Sequence, residues 1–144
     1  MQIPINLASP SSPTPNADGP IVGVLVSRDL IFTTKITGTA AALGFRIAVA
    51  GNGALALKTI EDAKPRVVII DLAAGALAGQ EAIAGYQRAA GPDTPIIAFG
   101  SHVDTGALDA ARKAGCREVM PRSRFTAELP SLIRKYCGST ESGA

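Results

Sequence analysis

The chain has 144 residues, 47% of them hydrophobic and 18% charged, with 14 Lys and Arg against 12 Asp and Glu. That length suits one folded domain, the apolar content excludes wholesale disorder, and a net charge of +2 is too even to imply nucleic-acid or membrane binding by charge alone. With one His and two Cys, four soft ligands for a structural zinc site are not on hand.

Residues 1–20 hold five of the ten prolines (Pro4, Pro10, Pro13, Pro15, Pro20) and a single charge, Asp18. That composition predicts an extended or disordered arm, and it lacks the basic start and continuous apolar core of a secretory leader. Ile21–Val26 reads as a buried strand. From Asp29, apolar residues at Ile31, Phe32, Ile36, Ala40 and Leu43 recur at helical spacing up to Gly44, which suits a left-handed cap. Phe45–Ala50 is a second strand, and Ala54–Lys64 a second helix that ends before Pro65.

Val67–Asp71 is the strongest strand signal, apolar on both faces as in a parallel sheet covered by helices. Glu81–Ala90 reads as a helix, Ile96–Phe99 as a strand, Thr105–Ala114 as a helix capped by Gly115, Glu118–Met120 as a strand and Thr126–Tyr136 as a last helix. Residues 139–144 read as a tail. The folded unit is therefore expected over 21–138 as an α/β, flavodoxin-like doubly wound five-stranded parallel sheet, order 2-1-3-4-5, with five helices.

Chemistry in such a sheet gathers at the carboxyl ends of the strands. There the sequence places Ser27, Arg28 and Asp29, then Gly51, Asn52 and Gly53, then Asp71, then Gly100, Ser101 and His102, and last Arg122. Asp29 and Asp104 suit helix N-caps. His102, the lone histidine, reads as an exposed loop residue, and Lys58, Glu61 and Asp62 as a solvated face. Gly51–Ala56 fits G-x-G-x-x-A after a strand, the pattern of a dinucleotide turn, with a plain turn and helix entry as its other reading.

On Asp71 after a Lys-Pro and Val/Ile run and before Leu72, with Asn52-Gly53, Pro95-Ile-Ile and Ala114-Gly115, residues 21–137 resemble the receiver domain of bacterial two-component response regulators. The resemblance implies that Asp71 stands where the family accepts a phosphoryl group. The two Mg²⁺-binding acids of the family correspond to Ser27 and Arg28, the phosphoryl-gripping hydroxyl to Gly100 with Ser101 one place later, the lysine to Arg122, and the aromatic switch residue to Val119. An arginine offers donors only and cannot ligate a cation.

The expected function is thus an atypical stand-alone receiver in phosphorelay signalling, acting by protein–protein contact, not as an enzyme, with its Mg²⁺ site lost and no other cofactor. Arg28 is expected either to replace the metal beside Asp71 or to point to solvent. Alternatives are a working phospho-acceptor at Asp71, and a nucleotide-binding module built on Gly51–Ala56. Expected partners are proteins (a histidine kinase, a downstream effector, or a second copy through the fourth and fifth helices), with no nucleic acid and no membrane. The absence of a leader and the two cysteines suggest the reducing cytoplasm. Cys116 and Cys137 are expected as buried, inert thiols, or as a pair closed by oxidation.

Overall fold

The computed structural model describes residues 19–138. The arm expected before Gly19 and the tail over 139–144 lie outside the described residues. Five strands, β1 (Ile21–Val26), β2 (Arg46–Ala50), β3 (Val67–Asp71), β4 (Ile96–Gly100) and β5 (Glu118–Pro121), form one sheet in the order β2-β1-β3-β4-β5. All four pairings are parallel, as the two-faced apolar runs require. Every residue of β3 is buried, and so is every residue of β4.

Between the strands run α1 (Leu30–Ala42), α2 (Gly53–Ala63), α3 (Gln80–Ala90) and α4 (Thr105–Lys113). Polar caps start three of them. The carboxylates of Asp29 and Asp104 and the amide oxygen of Asn52 accept from the backbone N–H of Phe32, Ala107 and Leu55 at 2.9, 3.1 and 2.8 Å. Each cap satisfies a donor that the first helical turn leaves without a partner.

The sheet divides the interior into two cores. On one face α1 and the C-terminal helices pack Phe32, Ile36, Leu132, Ile133 and Tyr136 against Leu25, Ile69 and Phe99. On the other, α2, α3 and α4 pack Ile60, Ile83, Tyr86 and Ala111 against Val24, Val68 and Ile70. Each large side chain buried this way contributes roughly 1.5–3 kcal/mol of apolar transfer. Leu129, Leu132, Ile133 and Tyr136 of the last helix are therefore core.

Two expectations about helices need correction. The single helix read over Thr126–Tyr136 is two, α5 (Arg122–Ala127) and α6 (Leu129–Cys137), separated at Glu128. Pro130 is the cause: it has no N–H to give, so it suits the first turn of a new helix, not the middle of a continuing one. A 3₁₀ segment, Leu72–Ala78, also follows β3, with Gly75 at φ 67° supplying a left-handed step. Its Ala and Gly residues have no periodicity to read.

The disulfide reading falls as well. Cys137 belongs to the core on the α1 side of the sheet and Cys116 packs against the core on the other, so the sheet stands between them. Both are free thiols, and burial pushes both up to about 11.

Candidate functional site

The carboxyl ends of β1, β3 and β5 bring the predicted residues to one pole. Asp71, 1% exposed, ends β3. Its backbone leaves the strand as the N-cap of the 3₁₀ segment, so Oδ1 accepts the Ala73 N–H at 3.0 Å. Ser27, buried at the end of β1 beside it, donates its hydroxyl to Oδ2 at 2.7 Å. Both oxygens of the carboxylate are thus engaged by donors fixed on adjacent strand ends, a geometry that answers the cost of burying a charge.

Arg122 follows β5 and enters the same pole. Its guanidinium lies over the Phe32 ring, 4.4 Å from the centroid, and 5.7 Å from that of Phe99. Phe99 stacks in turn on Phe125 at 4.3 Å, so the cation rests on a packed aromatic floor. From that seat Nη2 lies 3.7 Å from Asp71 Oδ1, an ion pair longer than a hydrogen bond, and Nη1 lies 3.4 Å from Asp29 Oδ2. The Phe32 N–H, aided by Arg122, holds Asp29 below the usual carboxylate range.

Arg28, the expected substitute for a metal, turns elsewhere. Its Nε donates to the Gly51 carbonyl at 3.3 Å on the β2 side, and it makes no ion pair with Asp71 among the described residues. Ser27 and Arg28 are consecutive on the chain leaving β1. The short one reaches β3 and the long one crosses to β2 and solvent. Arg28 still borders a shallow cavity of about 360 Å³ with Asp29, Asp71, Ala73, Ala74 and Arg122.

The last position of β4 is sterically tight. A Cβ built on Gly100 would stand 3.1 Å from the Cβ of Leu72 and 3.2 Å from its Cδ1, so a larger residue there requires Leu72 to give by a few tenths of an ångström. Ser101 lies outside the site: its Oγ accepts the Val103 N–H at 3.3 Å, and its neighbour His102 is exposed in the same loop. Val119, partly buried, packs toward the core under α2, α3 and α4.

The Gly51–Ala56 turn lacks a phosphate cradle. Neither Gly51 nor Gly53 takes positive φ, Asn52 spends its own side chain on the Leu55 N–H, and the Gly51 carbonyl is taken by Arg28. Nor does the donor set around Asp71 fit a divalent cation. A hydroxyl and an amide donate to the carboxylate and a guanidinium stands 3.7 Å away, where Mg²⁺ demands several oxygen ligands. Among the described residues no group of three His, Cys, Asp or Glu converges to hold a metal.

The structure brings Asp71 and Arg122 to one pole, as the sequence order of the strand ends suggests, and adds three features that sequence reasoning missed. The Asp29–Arg122 pair spans 93 positions, the Ala73 N–H has no side-chain signal, and Leu72 acts by volume. For the last, the one hint in the sequence was the run Asp71-Leu72 opposite a glycine.

No family sequence model matches the chain, and no curated protein resembles it closely enough in sequence to count as a relative. Solved structures do resemble it. The receiver domain of a sensor histidine kinase from Pseudomonas aeruginosa, with magnesium coordinated in its active-site cleft, superposes at a TM-score of 0.66 and 21% identity, covering 83% of this chain and 99% of that one. The receiver domain of NtrX from Brucella abortus gives 0.69 at 17%, covering 81% and 98%. The receiver domain of a Saccharomyces cerevisiae response regulator, crystallised with a histidine phosphotransfer signalling protein, gives 0.66 at 17%, covering 82% and 90%. At such identities the likeness carries the fold: this chain folds as a response-regulator receiver domain does.

Proposed function

We propose that this protein is an atypical receiver in two-component phosphorelay signalling, one that acts through protein–protein contact while Mg²⁺-dependent phosphorylation at Asp71 is impaired. The observation that carries this reading is that each oxygen of the Asp71 carboxylate accepts a hydrogen bond, from Ser27 and from the Ala73 N–H, with the Arg122 guanidinium 3.7 Å away as its nearest cation. In-line phosphoryl transfer needs a free carboxylate oxygen and cations on the departing oxygens. Here Ser27 gives a hydrogen where a metal-binding acid would give electrons.

Three further features support the same reading. The position of the gripping hydroxyl holds Gly100, crowded by Leu72, the position of the aromatic switch holds Val119, and Arg122 is pinned on an aromatic floor between two carboxylates. Together they describe a pole built to stay in one arrangement. The partner is then a protein that recognises this fixed surface, such as a histidine kinase, a phosphotransfer protein or a downstream effector. The cytoplasm is the compartment we propose. Among the described residues no helix is long and apolar enough to cross a membrane.

Incubation with a small-molecule phosphoryl donor and excess Mg²⁺, with the products weighed by intact-protein mass spectrometry, tests this directly. The expected result is no phosphoryl adduct on the wild-type chain. A stoichiometric, Mg²⁺-dependent adduct that disappears in Asp71→Asn sinks the proposal and installs the working phospho-acceptor in its place.

A further inference from the structure

The opposite pole of the sheet carries a different charge arrangement. The segments at the amino ends of the strands and the carboxyl ends of the helices (43–46, 61–66, 87–95, 112–118 and 133–138) contain nine Lys and Arg against four Asp and Glu. Within that pole a groove of about 350 Å³ lies between the start of β4 and the end of α6. Arg66, Arg117 and Lys135 border it, with Pro95 and the largely buried Tyr136 as apolar walls and Asp93 as the single carboxylate.

The three cations are not equally free. Lys135 is bound to Glu118 at 2.9 Å, and Glu118 also accepts from the Tyr136 hydroxyl. Arg66 donates from Nη1 to the Cys137 carbonyl at 2.6 Å, which caps α6 and fixes that guanidinium while leaving its other donors unspent. Arg117 is anchored only through its backbone, whose N–H donates to the Ile96 carbonyl at 2.7 Å. Among the described residues neither Arg66 nor Arg117 has an acidic partner within 4 Å. Asp93, on the same rim, pairs with neither.

We propose that this groove binds a small oxyanion, a phosphate or carboxylate group, between the guanidinium groups of Arg66 and Arg117. Planar guanidinium donors match the spacing of such oxygens, and Arg66 arrives already ordered, so little side-chain freedom is lost on binding. A cavity of this size admits a small ligand, and Asp93 offers an acceptor to a hydroxyl or amine beside its anionic group. The same carboxylate repels a long polyanion tracking across the pole. The site lies at the far end of the sheet from Asp71 and does not depend on the function proposed above.

The test is a titration of the full chain with inorganic phosphate, and separately with succinate, at constant ionic strength, read through backbone amide shifts in two-dimensional NMR. Saturable shifts are expected at Thr94 and Arg117, with phosphate or succinate saturating at the lower concentration according to which group the site prefers. Arg117→Gln, on an exposed side chain with no partner to lose, should weaken that binding about tenfold or more, the effect of removing a charge-assisted hydrogen bond pair. Arg28→Gln at the other pole should leave it unchanged. Shifts that stay linear in both anions, or that Arg117→Gln does not alter, mean an adventitious ion only and overturn the site. Saturation by duplex DNA alone overturns it too, in favour of a polyanion surface.

Discussion

The two ends of this sheet treat charge in opposite ways. At the carboxyl pole (27–31, 51–54, 71–81, 100–106 and 121–128) three basic residues meet five acidic ones. The central cation there, Arg122, is paired twice and stacked once. At the amino pole nine basic residues meet four acidic ones, and most of the cations have no acidic partner among the described residues. A net charge of +2 conceals this segregation completely. Charge that is buried and paired shapes stability, and charge that is exposed and unpaired shapes what the molecule attracts.

The largest effect should come from removing the buried anion. Asp71→Ala strands the Ser27 hydroxyl, the Ala73 N–H and Arg122 together, and should cost about 2–4 kcal/mol of unfolding free energy in urea titrations. Arg122→Ala should cost less, about 1–2 kcal/mol, because its side chain keeps some access to water. Arg122→Lys should recover only part of that, since an ammonium does not lie flat on Phe32 as a guanidinium does. Ser27→Ala should cost about 1 kcal/mol, one buried hydrogen bond.

A pH series extends the comparison to the interior. Cys116 and Cys137 sit at about 11 in the fold against an ordinary 9.0, and Tyr136 is also raised by burial and its bond to Glu118. A raised folded pKa means the protonated form is favoured by folding, so this stability is intact below pH 9 and drains away as pH climbs through 11. Thermal melts should therefore fall steeply across that window, and a thiol reagent at about pH 8 should find both cysteines slow. Asp29 and Glu118 are depressed instead, so their contribution holds at neutral pH and is lost on acidification below the usual carboxylate range. The smallest change belongs to the amino pole: Arg117→Ala should shift stability by no more than about 0.5 kcal/mol. A larger loss there would show that Arg117 is structural and erase the contrast.

Most of the architecture was legible because strand and helix signals alternate cleanly: Val67–Asp71 is apolar up to its last residue, and Asp29, Asn52 and Asp104 announce three helix starts. The split of the last helix was hidden because the apolar stripe runs to Tyr136 without a break in period, and only Pro130 marked the joint. At the site, Asp71 and Arg122 were readable from the ends of β3 and β5. Which of Ser27 and Arg28 would face Asp71 was not, because adjacent residues leaving a strand diverge, and charge alone favours the wrong one. The shorter side chain reaches the carboxylate and the longer one finds a backbone carbonyl instead.

Leu72 has one more consequence, for how two positions vary together. A side chain introduced at position 100 sets its Cβ 3.1 Å from that of Leu72, so the leucine at the start of the 3₁₀ segment has to give by a few tenths of an ångström. Shortening Leu72 relieves that contact and makes room for a larger residue at position 100. Positions 72 and 100 therefore form one steric unit across two strand ends, so that a change at either is felt at the other.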